Sequence, residues 1–518
     1  MSDANQSAIG FAAETSLGLT ATPVALQSLR FTGESLKNTK ETVSSAEIRD
    51  DRQVPDHVMV GAMPQGGFDF ELSFLALLPF FAAVLHNDWT VIAITETVSC
   101  ALSTQVITGT AGDFTAVPPG AMLKIEGFAN AANNGFRRVQ SVASDGSYIV
   151  LPAGSIIANE AAVEVTFSGK TTANGVKRKS FTFEKRIKNT SGEDFFHVYR
   201  GMVPDTMELR IASKGIITGS VQAIGTTYEV GNVSIDASAT ATTQATGTLT
   251  FAANPTANDT CTIGGKVYTY KASVVAANQV KIGLTASASL DNLIAAITGG
   301  NGEGDLYGFD TVPHTEVTAA AGAGDTMVVT AIAVGTNGNG IATTETFTNA
   351  GNIFAAASLS GGVDPVSGYA AAADGPIMNG TSNVGTLLLD GASATERFKT
   401  LTLNIANSAR GKDCIGTLGN FDIGLGTIAV TGKLSAYFVN NSLPARIQAH
   451  TSFSLDFSVQ DADGNRYFFY LPVVKPSGDP TISGINSDVM IEVDFAAILD
   501  QGAGNSTGKT LIIDAFAA

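Results

Sequence analysis

Residues 31–71 read FTGESLKNTKETVSSAEIRDDRQVPDHVMVGAMPQGGFDFE, and this stretch decides how the chain is interpreted. Apolar residues alternate just before it, from Val24 to Phe31, which predicts a strand, and a second strand is predicted to start at Phe68. The polar residues 36–66 between them are predicted to form a long surface loop. Connections of this length are uncommon inside a compact domain and are usually functional. We therefore expect the loop to become ordered against a neighbouring subunit.

The composition predicts a mainly β protein. The chain has 518 residues, of which 55 are glycine, and only 15% are charged. Glu and Lys are sparse, whereas Thr, Ser, Val and Gly are frequent, as expected for short strands joined by tight turns. Apolar and polar residues alternate in segments such as 179–185, 453–459 and 489–495, which indicates strands with one buried face. The net charge of −17 argues against a tight duplex-DNA binder, because an acidic surface repels phosphate.

The order of these segments predicts a discontinuous framework with two insertions. The framework segments are 1–90, 170–235 and 364–518. An apolar helix at 74–86 is expected to cover one face of the framework sheet. Residues 91–169 are predicted to form a small inserted β domain. Residues 236–363 are predicted to form a β-rich, Ig-like decoration domain with one short helix at 288–297, where apolar residues recur at helical spacing.

No motif predicts an enzyme, a cofactor site or a metal site. Residues 503–510 loosely match a phosphate-binding loop, but too few residues follow to supply its supporting helix. Residues 461–465 resemble the start of a calcium loop, yet Pro472 occupies the position that needs a bidentate Glu. The histidines are isolated, and the cysteines have neither metal-ligand spacing nor a disulfide framework. The cysteines are Cys100, Cys261 and Cys414.

The sequence predicts a soluble product made in the cytoplasm. Residues 1–16 lack the basic segment and the continuous apolar core of a signal peptide. The most apolar run, at 72–85, contains Pro79 and is too short to span a bilayer, so it is interpreted as a buried helix.

Two groups of charged or turn-forming residues are predicted to contact neighbouring subunits. The first group lies in the predicted loop and comprises Lys37, Lys40, Glu41, Arg49, Asp50, Asp51, Arg52, Pro55 and Asp56. The second is the one basic concentration in the chain, expected along a strand that faces acidic surface on an adjacent subunit, and comprises Lys177, Arg178, Lys179, Lys185, Arg186 and Lys188. Exposed ion pairs contribute only about 0–1 kcal/mol each, so we expect these charges to set register more than affinity.

Three segments carry a resemblance to a known family, namely 29–71, 179–218 and 424–495. In these segments the chain resembles the tail tube protein, or major tail protein, of long-tailed bacteriophages. The resemblance implies a β-sandwich or barrel-like framework flanked by one helix. It also implies that six subunits close into a ring whose inner strands join into one barrel, which would remove exposed strand edges.

The same resemblance implies a function and a set of partners. Rings would stack into a tube in the virion, with the predicted loop reaching the next ring, and the tube would conduct DNA during ejection without binding it specifically. Other expected partners are the tape measure, tail terminator and distal tail proteins. Assembly is expected in the host cytoplasm, without membrane insertion.

Three other classes compete with this interpretation. A surface adhesin or fibre subunit would suit the Thr/Gly-rich β modules, but such proteins usually contain tandem similar modules and an export signal, and neither is apparent. A capsid or decoration protein would be expected to contain more helix. A tail-associated glycosidase or peptidase would need a carboxylate pair or a nucleophile, and no spacing in the sequence supports one.

Overall fold

The structure is a computed structural model, and it describes residues 6–190, 193–237, 243–363, 368–482, 488–502 and 506–518. The described residues form 36 strands and three α-helices, so the protein is mainly β as predicted. The chain divides into two compact units. The smaller unit comprises residues 188–194 and 232–369, and the larger unit comprises 2–187, 195–231 and 370–518. Residues 91–169 belong to the larger unit, and their status as a separate insertion stays a prediction.

The larger unit begins with a group of strands and one helix. Their bounds are β1 (Ala8–Ser16), β2 (Leu19–Thr20), β3 (Gln27–Ser28), β4 (Gly33–Glu34), β5 (Lys37–Ser44), β6 (His57–Glu71) and α1 (Leu78–Val84). Two expectations are corrected here. Only Gln27–Ser28 of the strand expected at 24–31 is formed. The loop expected at 36–66 is mostly a hairpin, because β5 pairs antiparallel with β6 from Lys37–Gln65 to Ser44–His57.

Helix α1 lies at the centre of the main core. It is shorter than the expected 74–86, and Pro79 occupies its first turn, where the missing N–H costs no hydrogen bond. The Phe80 ring is fully buried, with its centroid 4.9 Å from those of Phe11, Phe68 and Phe181. This aromatic packing joins β1, β6 and the strand that begins at Phe181.

Residues 90–173 form a further group of strands with an apolar core of their own. The bounds are β7 (Thr90–Ala101), β8 (Val106–Thr108), β9 (Met122–Glu126), β10 (Gly135–Arg138), β11 (Ser141–Val142), β12 (Tyr148–Val150) and β13 (Glu160–Ala173). The long pair β7–β13 runs across both expected boundaries of the 91–169 domain. Arg138 of β10 donates to Asp456 (2.7 Å) and to the buried Asp514 (3.1 Å), which fixes this group to the rest of the larger unit.

The next strands are β14 (Phe181–Lys188), β15 (Asp194–Ala212), β16 (Thr218–Ile224) and β17 (Thr227–Gly231). The smaller unit then contains β18 (Gln244–Thr250), β19 (Thr260–Ile263), β20 (Lys266–Lys271), β21 (Gln279–Lys281), α2 (Ala286–Thr298), β22 (Val317–Ala321), β23 (Thr326–Val334), β24 (Thr343–Thr346) and β25 (Ile353–Phe354). Its strands form two four-stranded sheets, ordered β22-β23-β18-β25 and β21-β20-β19-β24. Helix α2 begins at the Thr285 cap and ends at Gly299, whose φ of 69° suits glycine.

The remaining elements belong to the larger unit. They are β26 (Leu388–Leu389), β27 (Ala392–Ser393), β28 (Arg397–Ala406), β29 (Arg410–Lys412), β30 (Asp422–Gly424), β31 (Ala429–Tyr437), α3 (Ser442–Gln448), β32 (Phe453–Gln460), β33 (Arg466–Ser477), β34 (Pro480–Ile482), β35 (Val489–Ala497) and β36 (Ile512–Phe516). Apart from the short β29–β30 pair, the strands of the larger unit are hydrogen-bonded into one branched sheet of 26 strands.

Candidate functional site

Six neighbouring strands of the larger unit form a regular antiparallel sheet, in the order β6-β16-β15-β28-β31-β35. Their registers align residues in rows across the sheet, and alternate rows face opposite sides. One row contains Phe70, Leu209, Leu403 and Phe495, all of which are buried in the main core. Gly219 lies in the same row, and a Cβ there would be 2.4 Å from Cζ of Phe70, so only glycine leaves room for that ring.

The opposite side of these six strands is polar and open to solvent, and we call it the open face. It consists mainly of carboxylate, hydroxyl and amide side chains in the neighbouring rows. Its members include Asp69, Glu71, Thr206, Glu208, Arg210, Thr218, Ser220, Gln222, Thr402, Asn404, Thr431, Lys433, Ser435, Glu492 and Asp494. These side chains are half-buried or exposed, in contrast to the rows that face the core.

The open face is net acidic, with five carboxylates and two cations in this set. Arg210 pairs with Glu208, and Lys433 pairs with Glu492 at 2.5 Å between Nζ and Oε2. Each carboxylate raises the pKa of its cation partner through the hydrogen bond between them. Both cations are thus neutralised within the face. Arg397, which its register with Tyr437 places on the same side at the start of β28, adds one cation, so carboxylates exceed cations by two. Polyanions approaching this surface meet repulsion and few cations to bind.

The hairpin of β5 and β6 with its connection 45–56 contains a long exposed segment, and we call it the assembly hairpin. Residues 46–60 are all exposed, including apolar side chains that a monomer would ordinarily bury. The exposed apolar side chains of the whole hairpin are Val43, Ile48, Val54, Val58, Met59 and Val60. Ile48 is fully exposed. Within the described residues, each of these side chains keeps at least 39% of its surface exposed.

The residues predicted for inter-ring contact are distributed over this hairpin. Lys37, Lys40 and Glu41 lie on β5, whereas Arg49, Asp50, Asp51, Arg52, Pro55 and Asp56 lie in the connection. Nη2 of Arg49 is 2.6 Å from Oδ2 of Asp51, and this hydrogen bond lowers the pKa of the Asp51 carboxyl. The hairpin was missed because β5 and the first seven residues of β6 contain no buried side chain. The β-branched residues Thr39, Thr42, Val58 and Val60 were the available signal.

Residues of the predicted basic strand form ion pairs within the same chain. Lys177 and Lys179 both pair with Asp88, and they precede β14 instead of lying on it. Arg178 pairs with Asp422 at 2.5 Å between Nη1 and Oδ1. Lys185 pairs with Glu34 at 3.1 Å, while Arg186 and Lys188 close the strand. Contact of this group with a neighbouring subunit stays a prediction.

The Arg178 contact also affects the carboxyl group that it meets. Asp422 accepts from Lys412 as well as from Arg178, and these hydrogen bonds lower the pKa of its carboxyl to about 2. Lys412 therefore joins β29 to β30, and Arg178 holds this pair to the segment before β14.

The motifs considered for chemistry have structural roles where the structure describes them. Asp461 accepts from the backbone N–H of Asp463 (3.0 Å) and of Asn465 (2.9 Å), which closes the turn between β32 and β33. In the 503–510 segment, residues 503–505 lie outside the described part, and Thr507 donates to Asp500. Across the described residues, no three His, Cys, Asp or Glu side chains converge as metal ligands would.

A sheet with one buried face and one open polar face, continued by an exposed hairpin, offers surfaces that suit contact with other subunits. The chain belongs to the phage tail tube protein family, whose model matches residues 4–311 and 296–497. Comparison with curated proteins gives no match. As a member of this family, the chain is a structural component of the phage tail within the virion, and it assembles with itself and with other tail proteins. None of the helices in the described residues is long and apolar enough to cross a bilayer.

Proposed function

We propose that six copies of this chain close into a ring, that rings stack into the tail tube, and that the open face lines the channel through which DNA passes during ejection. The single observation that carries this proposal is the acidic open face on a six-stranded sheet whose other side is fully packed. Double-stranded DNA carries one negative charge per about 1.7 Å of its axis, so an acidic wall limits adhesion during transit.

Ring closure is supported by strand edges that have no partner in one protomer. Among the described strands, β5 pairs only with β6, and β34 pairs only with β35. An unpaired edge of this kind favours hydrogen bonding to another chain. In the proposed ring, edges of adjacent copies complete one another and form a closed sheet around the channel.

The finer partners and location follow from the same proposal. The tape measure protein would occupy the channel before DNA, and the terminator and distal tail proteins would contact the two ends of the tube. Assembly would occur in the host cytoplasm. The decoration role of residues 236–363 stays a prediction, which a deletion of this segment with retained tube formation would support.

Electron microscopy of the purified chain tests the proposal. We expect hollow tubes with six-fold end views, and a reconstruction in which Asp69, Glu208 and Asp494 face the channel. Reversal of two open-face charges, Asp69→Lys with Asp494→Lys, should leave tubes intact but slow DNA release from triggered particles. The exposed pair Asp310→Lys with Asp325→Lys in the smaller unit is the matched control. Solid fibres, or an open face on the outer surface of the tube, would refute the assignment.

A further inference from the structure

The strand register gives the six-stranded sheet two distinct ends. Strand β6 begins at His57, directly after the connection 45–56, and ends at Glu71, which lies opposite Thr218, the first residue of β16. The end of β15, the start of β28, the end of β31 and the start of β35 follow at the same side. The hairpin therefore extends from one end of the sheet, and we call the other the far end.

The segments at the far end contain a set of exposed apolar residues. These residues are Leu75, Ile216, Ile377, Tyr437, Phe438, Val439 and Val489. The bridges Ser73–Ile377 and Ile216–Asn379 hold three of the segments together. Leu75 has φ 69° and is 47% exposed, so a bulky side chain is held outward in a backbone conformation that leucine rarely adopts. Such outliers are often associated with functional surfaces.

A groove of about 440 Å³ opens beside the end of β15 and the start of β28, where the segment 380–387 forms part of its lining. Ile211, Val384, Leu387 and Phe398 provide apolar walls, and Arg397 and Lys399 lie on its lining. Arg397, Lys399 and the nearby Lys214 are exposed, and none has an ion-pair partner among the residues that the structure describes. Glu396 lies on the lining as well and accepts a hydrogen bond from Ser442, so the groove combines apolar walls with polar groups and a net positive charge.

The connection 45–56 at the tip of the assembly hairpin has the complementary character. It contains four carboxylates, Glu47, Asp50, Asp51 and Asp56, against the two cations Arg49 and Arg52. Arg49 is already engaged by Asp51, and the apolar Ile48 and Val54 project into solvent between the charges. An acidic tip with exposed aliphatic side chains matches a cationic groove with apolar walls.

We propose that the far-end groove of one copy receives the 45–56 tip of a second copy in the adjacent ring. This rests on the proposed stacking of rings and identifies the surface that accepts the hairpin. Because tip and groove lie at opposite ends of the same sheet, the contact is heterologous and does not close on itself. Each added ring exposes a new groove, so the contact propagates one linear tube with a defined polarity.

Charge reversal and its rescue test the proposal. The variant Arg397→Glu with Lys399→Glu should retain ring formation but lower the rate of tube elongation by about tenfold or more. A tenfold loss in the affinity of the contact corresponds to about 1.4 kcal/mol. Adding Glu47→Lys and Asp50→Lys to the same chain should restore elongation. Lys271→Glu with Lys281→Glu in the smaller unit changes the net charge equally and should elongate normally.

A disulfide test locates the contact directly. Cys414 is the one exposed cysteine among the described residues, so the background is Cys414→Ser. Ile48→Cys with Thr386→Cys should give oxidised tubes that run as a ladder of multimers on non-reducing gels. Ile48→Cys with Ile157→Cys should not. Suppose that the wild type forms tubes, but Ile48→Cys with Thr386→Cys gives no ladder and Arg397→Glu with Lys399→Glu elongates normally. That result would overturn this inference alone, whereas absence of tubes from the wild type would refute the proposed function.

Discussion

The α1 region and the assembly hairpin lie next to each other in the sequence and use similar apolar residues for opposite purposes. In α1, Phe80, Phe81, Val84 and the following Leu85 are at most 1% exposed. In the hairpin, Val54 is 66% exposed and Ile48 is fully exposed. The first segment stabilises one protomer through burial. The second leaves such side chains exposed on the protomer, so hydrophobicity alone does not distinguish a segment that packs in the core from one that stays on the surface.

The largest expected effect is in the α1 core. Phe80→Ala removes a ring that contacts three others at 4.9 Å, and we expect it to lower the free energy of unfolding by about 3–5 kcal/mol. Chemical denaturation of the unassembled protomer measures this. Val58→Ala in the hairpin is the control, and an equal loss there would show that the hairpin also stabilises the protomer.

A comparable effect is expected at the buried ion cluster. Arg138→Met leaves Asp456 and the fully buried Asp514 without their cation, which we expect to cost about 3–5 kcal/mol near neutral pH. Burial raises the pKa of Asp514 to about 6 even with Arg138 present, so protonation at lower pH should reduce the loss. Adding Asp514→Asn should recover stability. A loss independent of pH would contradict this account.

The next effect concerns His86, which follows α1 and is 2% exposed. Its ring nitrogens have no hydrogen-bond partner among the described residues, and burial lowers its pKa from 6.5 to about 4. The unfolded chain therefore takes up a proton below about pH 6.5 that the folded chain excludes, and stability falls as the pH drops toward 4. The contribution is at most about 3 kcal/mol.

His86→Asn isolates this contribution, because Asn tolerates the φ of 48° at this position. We expect the pH dependence of the variant, measured by denaturation between pH 4 and 7, to lack this fall. Asp514 acts in the opposite direction over the same interval, so the difference between wild type and variant is the informative quantity.

The smallest expected effect on the protomer is in the hairpin itself. Ile48→Ala should change the free energy of unfolding by no more than about 0.5 kcal/mol, because the side chain is already exposed. Tube elongation should nevertheless slow several-fold, as followed by light scattering. Val176→Ala, at an exposed aliphatic residue outside the hairpin, should alter neither quantity. An equal slowing there would show that the hairpin does not differ from other exposed apolar surface.

Much of the fold could be predicted from local pattern. The alternation in 453–459 and 489–495 corresponds to strands β32 and β35, and the helix expected at 288–297 corresponds to α2. The mainly β class and the tail tube family were also recognised from the sequence, and both are confirmed. Period-two and helical spacing reflect burial of one side of an element, so they are readable wherever a side is buried.

The sequence by itself determined which residues share a side of each strand, because that follows from backbone geometry within a few residues. Only the tertiary structure decided that 37–44 and 57–65 pair as a hairpin, since exposed strand segments leave no burial pattern. It also decided that Asp69, Glu208 and Asp494 belong to one acidic face. That face is assembled from strands hundreds of residues apart, and such pairing depends on long-range register and packing, which no local pattern specifies.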